Sequence, residues 1–448
     1  MITEDQFFIV VTAFTIGPSV PTGGHHTHPL KNESKSIMNL NRFLISSAVA
    51  ALSSIASAQV IPGQYIVMLR AGHDPHGVAI QHGVRAEQIY DTAVLGFSGP
   101  LSAAKLQALQ NDRRVQAVEP DRQVAILGQV VTAGLTAATV TSAGDLVPTG
   151  VDRIDAELNS CTDASSVGIA IIDTGISLTH PDLYVAGGIS YVTGIASAND
   201  DNGHGSHVAG IAAAKINGLG VCGVAPNAKL FAVKVLNNTG SGTLSAVISG
   251  VNWVTKNAKL KGIKVANMSL GFTSTSVTLN SAITKSVNGG VTYVVAAGNN
   301  ALDAATFSPA NHPSVITVSA VADEDGDCGG DGLATYYGAD DTFASFSNFG
   351  AVVDIAAPGV TIYSTFMNGG YATMSGTSTA APHVTGCAAL YLVHHPTATP
   401  ATVRTALLAQ ATPQSPVEPW LDTTGRWRGG FSGDPDTTHE PLVDAAGL

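Results

Sequence analysis

Basic residues are scarce in this 448-residue chain: 21 Lys and Arg stand against 33 Asp and Glu, giving a formal net charge of -12. No basic stripe appears, which excludes nucleic acid as a partner. Charge of either sign is low, at 12%. With 45% apolar residues and 48 glycines, that argues against a disordered chain and for a large buried α/β core joined by tight turns. Cysteine is limited to Cys161, Cys222, Cys328 and Cys387, with no C-x-x-C pair, so a zinc site is not expected. Of the three full pairings, Cys161 with Cys222 is the disulfide read here. Cys387, inside an apolar helical run, is read as a buried free thiol. The longest early apolar run, Phe43 to Ile55, is too short to span a bilayer, so no membrane partner is expected.

That run has another reading. Arg42 precedes it and Ala56-Ser57-Ala58 follows it, the positive, apolar and A-x-A parts of a secretory signal peptide over 38–58. Met38 is then the initiator, and residues 1–37, polar and with His25, His26 and His28 close together, are a mis-called or disordered N-terminus. Residues 61–127 form a compact unit with strands at 64–69, 94–99 and 115–121, the last running into a turn, and a helix near 102–110. Residues 128–144 lack any period and read as an accessible linker. From Val167 onward apolar runs at 168–172, 229–236, 263–270, 291–297 and 314–320 alternate with helical patterns at 204–215, 243–257, 277–288, 379–394 and 401–410. Such alternation predicts an α/β domain with a parallel sheet covered on both faces and a site at the carboxyl ends of its strands. The tail, 414–448, is expected to pack on the surface.

Three motifs fall where that rule wants them. Ile171-Ile172-Asp173-Thr174-Gly175 ends a strand, Asn202-Gly203-His204-Gly205-Ser206-His207 opens a helix, and Ser375-Gly376-Thr377-Ser378-Thr379-Ala380 opens another. A serine hydroxyl needs a base to become a nucleophile, and an imidazole titrates near working pH. The positive end of a helix dipole favours the negative charge that develops there. Periodicity leaves His204 and His207 as competing bases, and Asp173 and Asp182 as competing carboxylates.

The order Asp, His, Ser, with these flanking residues, resembles the subtilisin family of serine proteases, closest to its secreted proteinase K-like branch. The resemblance covers about 60–413 and is strong from 145 onward. It implies a subtilisin-like peptidase domain over 145–413, with Asp173, His204 and Ser378 catalytic and Asn299 in the oxyanion hole. Gly240-Ser241-Gly242 and Ser269-Leu270-Gly271 would be the two rims gripping a peptide, and Ala297 and Gly298 part of an uncharged first specificity pocket for apolar or aromatic residues. It also implies that 61–127, ending in Val-Glu-Pro-Asp, is an inhibitor-type α+β propeptide, the chain's own intramolecular partner. The function implied is that of a secreted, monomeric endopeptidase acting on protein or peptide substrates, made as a self-processing proprotein. No cofactor is needed for the chemistry, and Pro313, Val315 and Asp354 match a structural calcium site. Two departures stand out: Thr379 where the family has Met, and an acidic Gly-rich insertion at 323–341, read as a solvated loop. Asn237-Asn238-Thr239 and Asn267-Met268-Ser269 are glycosylation sequons, the second on a buried strand. The rival reading is a catalytically inactive binding module of the same fold, which should have lost Asp, His, Ser or Asn. An esterase should show G-x-S-x-G and the order Ser, Asp, His; neither is present.

Overall fold

The computed structural model describes residues 59–127, 129–131, 137–159, 163–415, 419–423 and 426–448. The stretch 1–37, the signal-peptide segment 38–58, Gly128, residues 132–136 of the linker, Cys161 and Pro416 lie outside the described residues.

The first unit is an antiparallel sheet of β1 (Val60–Leu69), β2 (Gln88–Asp91), β3 (Leu95–Pro100) and β4 (Val115–Ile126), in the order β4-β1-β3-β2. Helices α1 (Pro75–Gln81) and α2 (Ala103–Gln110) complete it; Asp74 and Ser102 cap them through side-chain acceptors. The two-residue period of β1 divides its side chains. Val67 and Leu69 join Phe97, Leu101 and Leu109 in a core of the unit's own, whereas Ile66 and Met68 belong to a core shared with the larger domain.

The larger domain is built on β5 (Gly168–Asp173), β6 (Val185–Ser190), β7 (Lys229–Lys234), β8 (Ser241–Thr243), β9 (Ile263–Met268), β10 (Leu270–Thr273), β11 (Thr292–Ala296), β12 (Ile316–Ala322) and β13 (Ile355–Pro358). All but β8 and β10 form one parallel sheet in the order β6-β7-β5-β9-β11-β12-β13. The five apolar runs read in the sequence are five of these strands. Its helices are α3 (His204–Ala213), α4 (Leu244–Lys261), α5 (Val277–Asn288), α6 (Thr377–His394) and α7 (Pro400–Gln410). Strand β5 is buried throughout: Ile169 and Ile171 face the α3 and α6 side, and Ala170 and Ile172 face the α4 and α5 side. A strand covered on both faces reads as a continuous apolar run for this reason.

Several expectations change. Strand β4 does not end in a turn at Asp121. It runs on to Ile126 between β8 and β10, antiparallel to both. On the way, the Glu119 carboxylate accepts from Thr278 N–H (3.0 Å) at the start of α5, and Asp121 accepts from Ser245 N–H (3.1 Å) at the start of α4. Carboxylates at helix N-termini are favoured by the orphan N–H groups and the helix dipole.

The acidic insertion is solvated only in part: Asp327 and Asp331 are exposed, but Asp323, Asp340 and Asp341 are buried. The buried Arg153 guanidinium reaches Asp323 (2.9 Å) and Asp341 (2.6 Å), which is what lets them leave water. The tail is not a surface appendage: Phe431, Leu442, Val443 and Ala445 are buried, and Pro441 and Val443 exchange main-chain hydrogen bonds with Ala356 of β13. Cys222 is a free thiol packed in the main core, and Cys161, its expected partner, lies outside the described residues. Cys387 is free and buried, as expected.

Candidate active site

Asp173 and His204 meet at the carboxyl end of the parallel sheet. Asp173 is the last residue of β5, and its carbonyl accepts from Val235 N–H (2.9 Å) and Leu236 N–H (3.2 Å), which pins the strand end. Its carboxylate Oδ1 accepts from Thr174 N–H (2.7 Å) and lies 2.8 Å from His204 Nδ1. His204 opens α3 behind Gly203, which holds φ at +106°, a region that glycine enters without strain. Ser378 is the second residue of α6 and is fully buried. Ser378 Oγ and His204 Nε2 are both buried atoms with no hydrogen-bond partner.

The competitors are placed elsewhere. His207 Nε2 is 3.0 Å from the carbonyls of both Ile362 and Ala372, and burial pushes its pKa down to about 3, so it is a neutral structural group. Asp182 accepts from Val221 N–H (3.1 Å) and from Tyr371 Oη (3.2 Å), and burial raises its pKa to about 6.

The Leu127 carbonyl oxygen sits between two donors. Asn299 Nδ2 reaches it at 2.6 Å and Ser378 N–H at 3.2 Å. Asn299 follows β11, and its Oδ1 accepts from Thr377 N–H (2.9 Å) and Thr377 Oγ1 (2.7 Å), which turns the amide so that its N–H points at Leu127. Upstream, Ile126 N–H donates to Gly240 O (3.0 Å) and Leu127 N–H to Ser269 O (3.2 Å). The glycines of both rims are there for close approach. A Cβ on Gly240 would lie 2.8 Å from the Ile126 side chain, and one on Gly271 would lie 3.1 Å from the Leu127 side chain. Ser241 and Gly242 pair with Ala125 and Val124, and Leu270 pairs with Ile126. Ala297 and Gly298 are buried at the end of β11, with Gly298 N–H donating to Thr377 Oγ1 (3.1 Å). Thr379, the departure from Met, donates to the carbonyls of Gly376 (2.8 Å) and Gly359 (3.1 Å), so its hydroxyl is satisfied.

The calcium reading fares differently. Asp354 accepts from Arg404 Nε (3.1 Å) on one carboxylate oxygen and from Thr317 N–H (2.9 Å) on the other. Its negative charge is matched by the Arg404 guanidinium. Among the described residues, Asp323, Asp325 and Asp340 each bring one carboxylate oxygen within 4.8 Å of the others.

Comparison with known proteins gives the family. Residues 164–430 match the subtilase family, and residues 73–127 match the peptidase inhibitor I9 family. Subtilisin DY of Bacillus licheniformis is 43% identical over 59% of this chain and 92% of its own length. An alkaline protease of Alkalihalobacillus alcalophilus is 35% identical over 82% of this chain and 90% of its own length. Subtilisin Savinase of Lederbergia lenta is 41% identical over 59% of this chain and 91% of its own length. A crystal structure of a cold-adapted subtilisin-like serine proteinase is 37% identical over 60% of this chain and 89% of that one, with a TM-score of 0.49. With a family match over more than half its length and an inhibitor match before it, this chain belongs to the subtilase family and is a serine endopeptidase carrying an I9-type propeptide.

Proposed function

We propose that this chain is the precursor of a secreted serine endopeptidase whose first substrate is its own Leu127–Gly128 bond, cut by Ser378, His204 and Asp173. The observation that carries this reading is the Leu127 carbonyl held by Asn299 Nδ2 and Ser378 N–H at the end of a strand threaded between both rims. The I9 match also ends at Leu127. The roles divide as follows. His204 Nε2 takes the proton of Ser378 Oγ as that oxygen bonds to the Leu127 carbonyl carbon. The electron pair displaced onto the carbonyl oxygen meets donors already in place. Asp173, against Nδ1, keeps the ring oriented and stabilises its protonated form. The tetrahedral intermediate collapses when His204 returns the proton to the amine of Gly128, which leaves. Leu127 is then an ester on Ser378. Water, deprotonated by His204, releases Leu127 as a carboxylate and restores the serine.

After the cut, 61–127 keeps its pairing with β8 and β10 and its contacts at the N-termini of α4 and α5, so it remains bound as an inhibitor until displaced. An apolar Leu127 at the cut agrees with a preference for apolar or aromatic residues at that position. Domain limits follow: signal peptide 38–58, propeptide 61–127, linker 128–144, peptidase 145–413 and extension 414–448, working as a monomer on extracellular proteins and peptides. Secretion is supported by the tripartite pattern at 38–58; among the described residues no helix is long and apolar enough to cross a membrane. The inactive binding module is not favoured, since Asp173, His204, Ser378 and Asn299 are all present.

The test is covalent labelling. A fluorophosphonate probe, which reacts with activated serines, should modify the mature protein stoichiometrically on the peptide containing Ser378. Modification of another serine, or none, contradicts the reading. A second expectation concerns Thr377, whose hydroxyl aims the Asn299 amide. Thr377→Val should lower kcat roughly 3–10-fold with little change in KM, the scale of one hydrogen bond felt mainly in the transition state. Steady-state kinetics on a chromogenic peptide would read it.

A further inference from the structure

Lys234 is the last residue of β7, paired in register with Asp173 of β5, and its side chain has no exposure. A lysine among Val233, Val235 and Leu236 is costly to bury unless its charge and all three N–H groups are satisfied. They are. Nζ donates to Thr174 O (2.5 Å), to Asp201 Oδ1 (2.6 Å) and to Leu236 O (2.9 Å). These acceptors lie on different segments: the turn after Asp173, the loop before His204, and its own strand end.

The first two are the segments that carry the carboxylate and the imidazole. Thr174 N–H donates to Asp173 Oδ1, and Thr174 Oγ1 accepts from Gly205 N–H (2.9 Å) in the first turn of α3. Thr174 Oγ1 also donates to Asp200 (2.9 Å), which in turn accepts from Gly203 N–H (2.9 Å) and Ser206 N–H (2.9 Å). Without the ammonium, the Thr174 carbonyl would be a buried acceptor with no partner, and nothing in this network would tie Asp201 to β7.

We infer that Lys234 is a positioning residue for the reaction. Its ammonium clamps the Asp173 turn to the loop that begins α3, and so sets the Asp173–His204 geometry. The inference rests on the triad reading above. It makes Lys234 a determinant of turnover more than of substrate affinity, because two of its three acceptors lie on the segments of Asp173 and His204, and only the third, Leu236, bridges a rim residue, Gly242. A misplacement of catalytic groups by about 1 Å can cost about 10²-fold in rate.

The experiment compares the full-length wild type with Lys234→Met, which keeps the length and apolar stem and removes the charge and donors. Rates are divided by the number of active sites titrated with a fluorophosphonate. The expected result is a kcat about 10–100-fold lower per titrated site with KM within about threefold of wild type. An unchanged kcat per site, or a loss seen only in the number of titratable sites, overturns the inference and leaves Lys234 a folding residue. If the variant never matures, its uncut precursor is melted beside the Ser378→Ala precursor. A similar midpoint means a folded but inert site and supports positioning; an unfolded precursor overturns it. Failure of the triad reading would look different, since wild type itself would then show no turnover.

Discussion

Ser378→Ala is expected to lower peptide hydrolysis by about 10⁶-fold, the scale known for loss of the nucleophile in subtilisin itself, and to leave the precursor uncut. Both effects come from one atom. Ser378 Oγ is buried with no hydrogen-bond partner, and its N–H donates to the carbonyl of Leu127. Removing the oxygen leaves the fold intact, since it has no hydrogen bond to lose in this state. The variant should therefore melt like wild-type precursor while doing no chemistry. Residual activity within about 10²-fold of wild type would mean that another nucleophile acts, because the donors and binding rims alone sustain only about 10³–10⁴ over water.

Asn299→Ala is expected to lower kcat by about 10²–10³-fold with KM little changed, again the scale known for the equivalent loss in subtilisin. The amide is held at 2.6 Å from the Leu127 oxygen by two bonds from Thr377, so it is preorganised for charge on that oxygen. A donor that strengthens as the oxyanion forms acts on the transition state more than on bound substrate. Self-cleavage should slow in the same proportion without stopping. A rise in KM at constant kcat would show instead that Asn299 binds ground and transition state alike.

The candidate site was open to a sequence reading because its motifs are local. Asp173, His204 and Ser378 each need a turn next to a strand or helix end, and glycines mark those turns within two or three residues. The parallel strands were legible for a similar reason, as burial on both faces leaves short unbroken apolar runs. What escaped was decided by partners far along the chain. Strand β4 was cut short at Asp121 because Pro120 and Asp121 look like a turn; β8 and β10, more than a hundred residues away, keep it extended. The acids of 323–341 looked solvated because nothing nearby is basic, and their counter-charge, Arg153, lies far upstream. The pairing of Asp354 with Arg404, fifty residues on, was equally hidden. Lys234 reads as one polar residue at a strand end; only its three acceptors give it meaning.

The most direct test of the account is the end of the released propeptide. Wild-type precursor is allowed to mature, and the small fragment is measured by intact mass and C-terminal sequencing beside Ser378→Ala. The predicted fragment ends at Leu127, the larger chain begins at Gly128 before any trimming, and Ser378→Ala yields neither. A first cut at any other bond, or the same fragment from Ser378→Ala, would contradict the assignment of Leu127 and Ser378 to one reaction.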